Sequence, residues 1–397
     1  MEPCERHNPS NGPDIASILA AQGLDGGPSP WTDYIQKLTA ADVERALAQP
    51  PGSYSLSRLA ALVCPAAVDY LEQMAQAARD LTIQRFGRTV RLYAPLYLSN
   101  FCINSCLYCG FNKQSPSRRV RLSLPQALAE ADTLARAGFR DILLVSSEDR
   151  SVITIDYLVE LAEALQSKFS SISIEIYQVR SDEYARLFAA GIEGVTLYQE
   201  TYDRSAYRCY HPAGPKADYD NRLSTPDNIG RAGMREIGLG VLLGLADWRL
   251  ETLALAEHAR YLMKRYWKSH ISFSFPRLRP ANQVNRALFR HIVSDIDLVQ
   301  MITALRLCFA DAGLVLSTRE SPALRDHLVR LGITKLSAGS RTSPGGYSTG
   351  TDATEQFLVS DHRCPAEVAR MIRAAGAEPV WKDWQRPICR LSTSNPA

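Results

Sequence analysis

Three cysteines, Cys102, Cys106 and Cys109, stand four and three residues apart in the stretch CINSCLYCG, while the other six cysteines of the chain are scattered. Clustered thiolates of this kind bind metal. A structural zinc takes four protein ligands, and the next donors, Cys209 and His211, lie far along the chain. Three thiolates do suit a [4Fe-4S] cubane whose fourth iron stays open to a small molecule, much as a catalytic metal keeps one position free. His211, His258, His270, His291, His327 and His362 form no pair at metal-ligand spacing on one helix, and surface or core roles are expected for them.

The elements that would position the cysteines are legible after Gly87, where short apolar or β-branched runs alternate with amphipathic helical patterns. Strand candidates fall at 91–98, 142–146, 172–179, 195–198, 239–245, 271–275, 314–318 and 334–338. Ser123, Ser181 and Thr225, the last with Pro226 in the first turn, are placed to cap intervening helices, and Gly138, Gly191 and Gly313 to close them. Eight strands alternating with helices predict an α/β fold of the (β/α)8 TIM-type class, with an open doubly wound sheet as the competing architecture. The cysteines follow the first strand, on the face where such barrels keep their chemistry.

Around the barrel, assigned to 88–343, the pattern predicts a poorly ordered extension over 1–32, a helical lead-in over 33–87 and a C-terminal appendage over 344–397. Trp381 and Trp384 would anchor that tail against the barrel.

Of the 397 residues, 46% are hydrophobic and 22% charged, and 45 basic against 42 acidic groups leave a formal charge of +3. So even a balance gives no electrostatic case for nucleic acid or an acidic membrane as partner. The opening MEPCERHNPSNGPD has no basic stretch followed by an apolar one, and no apolar run approaches the roughly 18 residues of a membrane helix. Nine cysteines, an odd number in a chain of this size, point to a reducing cytoplasm.

The CxxxCxxC pattern with Tyr108 before its last cysteine resembles the radical S-adenosylmethionine (SAM) superfamily. The segments LYAPLYLSNFC, CLYCGF, LLVSSE, VTLYQETYD, RAGMREIGLGVLLGL, SFSFPRLRP, LSTRESP, PGGY, EQF and VWKDW resemble its tyrosine lyases of thiamine biosynthesis, over about residues 35 to 385. The resemblance implies SAM chelated at the open iron and split by one electron to a 5′-deoxyadenosyl radical. Hydrogen is then taken from the amino group of L-tyrosine, and the Cα–Cβ bond breaks to give p-cresol and dehydroglycine (2-iminoacetate). It also implies thiazole synthase as partner, an external one-electron donor such as flavodoxin or ferredoxin, and an appendage that ends a biotin and thiamine synthesis-associated region. By the same resemblance, Tyr108, Glu148, Gln199 and Glu200 attend the cofactor. Which of Gln199, Glu200 and Tyr202 makes contact stays open. An amino-acid substrate brings a carboxylate, for which the forked guanidinium of Arg319 is the natural bidentate partner, supported by Ser337 or Ser340. Arg277 and Arg279 are rival candidates, and a rim salt bridge is the structural alternative for Arg319.

Two positions depart from the family pattern. Ser147 stands where the family has the glycine of a Gly-Glu pair, and Gln178 replaces the proline of a Glu-x-x-Pro in the third strand, which leaves aromatic specificity open to tryptophan. The rival readings are the tyrosine lyase of hydrogenase maturation, which carries a C-terminal CxxC that is missing here, and a non-catalytic iron–sulfur carrier. Hydrogen leaves nitrogen most readily from a neutral amine, so no acidic side chain is expected against the substrate nitrogen.

Overall fold

The computed structural model describes residues 12–282, 284–348, 350 and 353–382. Strands β1 (Thr89–Ser99), β2 (Asp141–Ser146), β3 (Ser171–Glu175), β4 (Gly194–Thr196), β5 (Glu236–Gly240), β6 (His270–Ser274), β7 (Gly313–Leu316) and β8 (Lys335–Ser337) pair in parallel in sequence order. β1 closes the ring on both β8 and β2, so the sheet is a barrel. Because strand side chains alternate between faces, Leu92, Ala94 and Leu96 pack outward in the main core while Tyr93 and Tyr97 point into the barrel.

Helices α1 (Ile15–Gln22), α2 (Pro30–Lys37), α3 (Ala40–Leu47), α4 (Leu56–Val63) and α5 (Leu71–Phe86) precede the barrel. Around it run α6 (Leu124–Arg136), α7 (Ile155–Leu165), α8 (Ser181–Ala189), α9 (Arg204–Tyr210), α10 (Tyr219–Arg231), α11 (Trp248–Arg265), α12 (Asp295–Cys308) and α13 (Pro322–Leu328). Then α14 (Pro365–Ala374) leads to β9 (Glu378–Val380), which lies beside the start of β1.

Several expectations need correction. Within the stretch expected to be a poorly ordered extension, the described residues include α1 and the start of α2. Asp14 caps α1 by accepting from the Ser17 amide at 2.8 Å, and Ile15 and Leu19 are buried where α1 meets α10 and α11. Helices this short draw their stability from packing, which local periodicity reports poorly. Ser123 does cap α6, within a reciprocal capping box, but Arg180 occupies the cap position of α8 and Ser181 is its first residue. Asp218 starts α10 earlier than Thr225, whose hydroxyl instead returns to the Asn221 carbonyl at 2.6 Å inside the helix. Gly138 and Gly191 take the positive φ expected of helix ends, whereas Gly313 is already the first residue of β7. The fifth strand begins at Glu236 and ends at Gly240, so most of the run 239–245 belongs to the rim.

The C-terminal region is stitched into the barrel mouth. Tyr97 donates its hydroxyl to Gln356 Oε1 at 2.7 Å, the Gly110 amide reaches the Gln356 carbonyl at 3.1 Å, and the Leu358 amide reaches the Pro280 carbonyl at 2.9 Å. Asp361, fully buried, pairs with Arg325 and Arg363. Trp381 sets its ring edgewise on Phe139 at 5.3 Å, and Trp384 lies outside the described residues.

Candidate active site

The loop after β1 is held from below by one cation. Arg119 donates to the carbonyls of Asn100 at 2.6 Å, Phe111 at 2.8 Å and Asn112 at 2.5 Å, drawing the ends of the cysteine segment together. Gly110 is required where the loop meets the C-terminal strap, since a Cβ there would stand 2.7 Å from the Glu355 carbonyl oxygen. Cys102, Cys106 and Cys109 are all free thiols lining one open cavity. Burial pushes the Cys106 thiol up to about 12 and the Cys109 thiol up to about 11, so iron would have to displace their protons. Among the described residues no three His, Cys, Asp or Glu side chains converge to hold a single metal ion. Three free thiols around one cavity fit a polynuclear cluster, in which each ligand takes its own iron.

In the upper part of this cavity Glu148 accepts from Asn104 Nδ2 at 2.8 Å, and Tyr108 bonds His211 Nε2 through its hydroxyl at 2.8 Å. Glu200 also faces in, with φ of 70°, the one non-glycine residue with positive φ among the described residues. Such strain persists where the surroundings over-determine it, commonly at functional sites. Lys216 lies 2.5 Å and Arg222 3.8 Å from its carboxylate. Burial works against its charge, yet these two cations outweigh it and hold the carboxyl below its ordinary value.

Gln199 is not brought to the cavity. It falls between the inward-facing Tyr198 and Glu200, so strand alternation turns its amide outward, where it is buried without a hydrogen-bond partner. Tyr202 is likewise structural: buried, it donates or accepts at His258 Nδ1 at 2.9 Å, and its amide is held by Glu251. Gln178 itself lines neither the upper cavity nor the lobe beneath it, although the adjoining Ile176 and Tyr177 line the upper cavity.

Beneath lies a deeper lobe inside the barrel, shared with the upper cavity at Glu175, Tyr198 and Arg319. Arg319 has no carboxylate partner among the described residues. Its guanidinium lies 3.4 Å from the Phe357 ring centroid and reaches only the Arg277 carbonyl, at 3.4 Å. The salt bridge considered for Arg319 is made instead by its neighbours: buried Glu320 binds both Arg277 and Arg279, and Arg277 also meets Asp295 at 2.8 Å. Arg277 is thereby withdrawn as a carboxylate receptor. Ser337 lines the deeper lobe, its Oγ accepting from the Thr318 amide at 3.1 Å, and the buried Ser340 hydroxyl there has no partner.

Glu175, Lys216, Arg222, Gln356 and Phe357 were missed from sequence. Glu175 had a usable signal, because a carboxylate two residues beyond Ser173 in a doubly buried strand must face the barrel interior. Burial and the charge of Glu200 push its carboxyl up to about 7. Lys216 sits in the turn before α10, Arg222 within α10, and Gln356 and Phe357 in the EQF segment of the C-terminal strap, and what brings these four to the cavity is tertiary folding.

Set beside known proteins, residues 96–256 match the radical SAM superfamily and residues 274–378 the Biotin and Thiamin Synthesis associated domain. The 2-iminoacetate synthase of Salmonella typhimurium is 45% identical over 91% of this chain and 96% of its own length. That of Escherichia coli K12 is 44% identical over 91% and 96%. Among solved structures, the FeFe-hydrogenase maturase HydG of Carboxydothermus hydrogenoformans superposes with a TM-score of 0.78 at 32% identity, covering 92% of this chain and 82% of that one. No helix of the described residues is long and apolar enough to cross a membrane.

Proposed function

The chain belongs to the 2-iminoacetate synthase family of radical SAM enzymes, and from that premise we infer that it is a carbon–carbon lyase acting on L-tyrosine. It breaks the Cα–Cβ bond to give 2-iminoacetate and p-cresol, with methionine and 5′-deoxyadenosine from SAM, and so feeds thiazole formation in thiamine biosynthesis. The carrying observation is the stacking in one barrel of three free thiols above and an arginine without a carboxylate partner below. When bound, the [4Fe-4S] cluster and SAM supply the radical that takes hydrogen from the substrate nitrogen.

The protein's own groups do the rest. Cys102, Cys106 and Cys109 would hold the cluster, with Tyr108, Glu148 and Glu200 lining the SAM side. Phe357 holds Arg319 by its ring face, and among the described residues no carboxylate pairs with the guanidinium that would take the substrate's. Ser337 and Ser340 add hydroxyls on the same side. Glu320, which would have raised the amine pKa had it faced the substrate, is locked between two arginines. The strap through Gln356 and Phe357 narrows the mouth and limits water, which a radical intermediate requires.

We place the enzyme in the cytoplasm, with an external flavodoxin- or ferredoxin-type electron donor and thiazole synthase as the consumer of its short-lived product. Anaerobic reconstitution with iron and sulfide, then incubation with SAM, reductant and tyrosine, should release p-cresol and 5′-deoxyadenosine. Deoxyadenosine without p-cresol would discard tyrosine as substrate, and cyanide formation would favour the hydrogenase-maturation type.

A further inference from the structure

The deeper lobe has two unlike walls. From the β6–β8 side come Ser274, Ser317, Ser337 and Ser340 beside the apolar Phe275 and Val315, with Arg319 beyond the end of β7. From the β1–β4 side come Tyr93, Tyr97, Leu143, Val145 and Tyr198, together with one carboxyl, Glu175 at the end of β3. In the eight-strand ring β3 and β7 stand opposite one another, so Glu175 and Arg319 address the lobe from opposite sides.

Glu175 also differs from the other carboxylates of this rim. Glu148 accepts from Asn104, Glu200 pairs with Lys216, and Glu320 pairs with Arg277 and Arg279. Glu175 has no hydrogen-bond or ion-pair partner among the described residues, and its half-buried side chain lines both parts of the cavity. A carboxyl kept in an aromatic pocket without a partner is matched by a donor that arrives with the substrate.

We propose that Glu175 accepts the hydrogen bond of the substrate's phenol hydroxyl and thereby selects tyrosine over phenylalanine. The proposal rests on the tyrosine-lyase reading and specifies its substrate pocket. Tyrosine presents a carboxylate, a flat apolar ring and a hydroxyl along its length, and the lobe offers Arg319, aromatic side chains and Glu175 to meet them. The amino group is bonded to the same carbon as the carboxylate, so it stays on the Arg319 side and away from Glu175. When Glu175 is ionised, the bond it accepts from the hydroxyl is about twice as strong as a neutral one. A pocket built around such a bond rejects the analogue that lacks the hydroxyl.

The test is equilibrium dialysis of labelled L-tyrosine and L-phenylalanine against the cluster-loaded protein with SAM and no reductant, so that binding is read without turnover. The wild-type protein should prefer tyrosine. Glu175→Gln should lower the tyrosine-to-phenylalanine ratio by about tenfold and Glu175→Leu by about a hundredfold, with phenylalanine affinity unchanged or improved. Glu175→Asp, which keeps the charge but withdraws it, should fall between wild type and Leu and keeps the test readable if a larger change disturbs folding. A wild-type ratio in all three variants overturns the proposal, as does parallel loss of both amino acids. Binding of neither amino acid by the wild-type protein removes the tyrosine-lyase reading, and this proposal with it.

Discussion

The two ends of the barrel are built from the same strands and differ in how fully their charges are answered. At the N-terminal end, Asp141 meets Arg91 at 2.5 Å and Lys335 at 3.1 Å, Lys335 reaches Glu236 at 3.8 Å, and Ser272 donates to Glu236. Charge there is answered from within the chain. At the C-terminal end, Glu175 and Arg319 face a common lobe with no ion-pair partner among the described residues, and three free thiols line the space above them. A closed network stabilises one conformation, whereas an open one keeps its electrostatic capacity for a ligand. The presence or lack of an ion-pair partner is what separates scaffold from site here.

The sharpest test of this contrast is at the thiols. Cys109→Ala should bring p-cresol formation to background and lower bound iron after reconstitution, while the urea midpoint of the metal-free protein stays near wild type. A large drop in that midpoint would make the cysteine loop part of the scaffold. Next in size is Arg319→Lys, which keeps the charge but loses the fork and the stacking on Phe357. It should lower kcat/KM for tyrosine by about 10²- to 10³-fold with little change in stability. At the opposite end the pattern should invert. Lys335→Met leaves Asp141 and Glu236 short of a buried cation and should cost about 3 kcal/mol in urea unfolding, with kcat/KM of the folded protein within about twofold of wild type.

The smallest effect is in pH dependence, where the two ends should differ in sign. Burial opposes ionisation of Glu236, but Lys335 and Arg91 outweigh it and hold the carboxyl down at about 2. Its contribution is therefore present above its ordinary value near 4.5 and is lost as pH falls toward about 2. Glu175 is raised to about 7 by burial and by Glu200, so its contribution is full below about 4.5 and is lost as pH rises through about 7. Urea midpoints measured from pH 4 to 8 should fall less steeply for Glu175→Gln than for the wild-type protein. An identical slope would mean that Glu175 is solvated and ordinary.

Much of the scaffold could be read because it obeys local periodicities. The strand candidates landed on the eight barrel strands to within a few residues, apart from the fifth, where the apolar run continues past Gly240 into the rim. The cysteine trio was legible for the same reason, since three ligands within one short loop need no knowledge of the fold. Legibility failed where one residue decides direction. Gln199 and Glu200 are neighbours of similar polarity, yet one is turned outward and the other lines the cavity. Arg277 remained a rival to the preferred Arg319 on sequence alone, and it is Glu320 that takes the first and leaves the second.

By itself, then, the amino-acid sequence determined the alternation that makes a barrel, the loop that carries three thiolates, and the face on which that loop must open. Only the tertiary structure decided which charges are answered internally and which are left for a ligand. Partnering joins residues remote along the chain, as Glu320 with Arg277, Lys216 with Glu200 and Phe357 with Arg319. Its energy depends on distances and burial that no local pattern encodes.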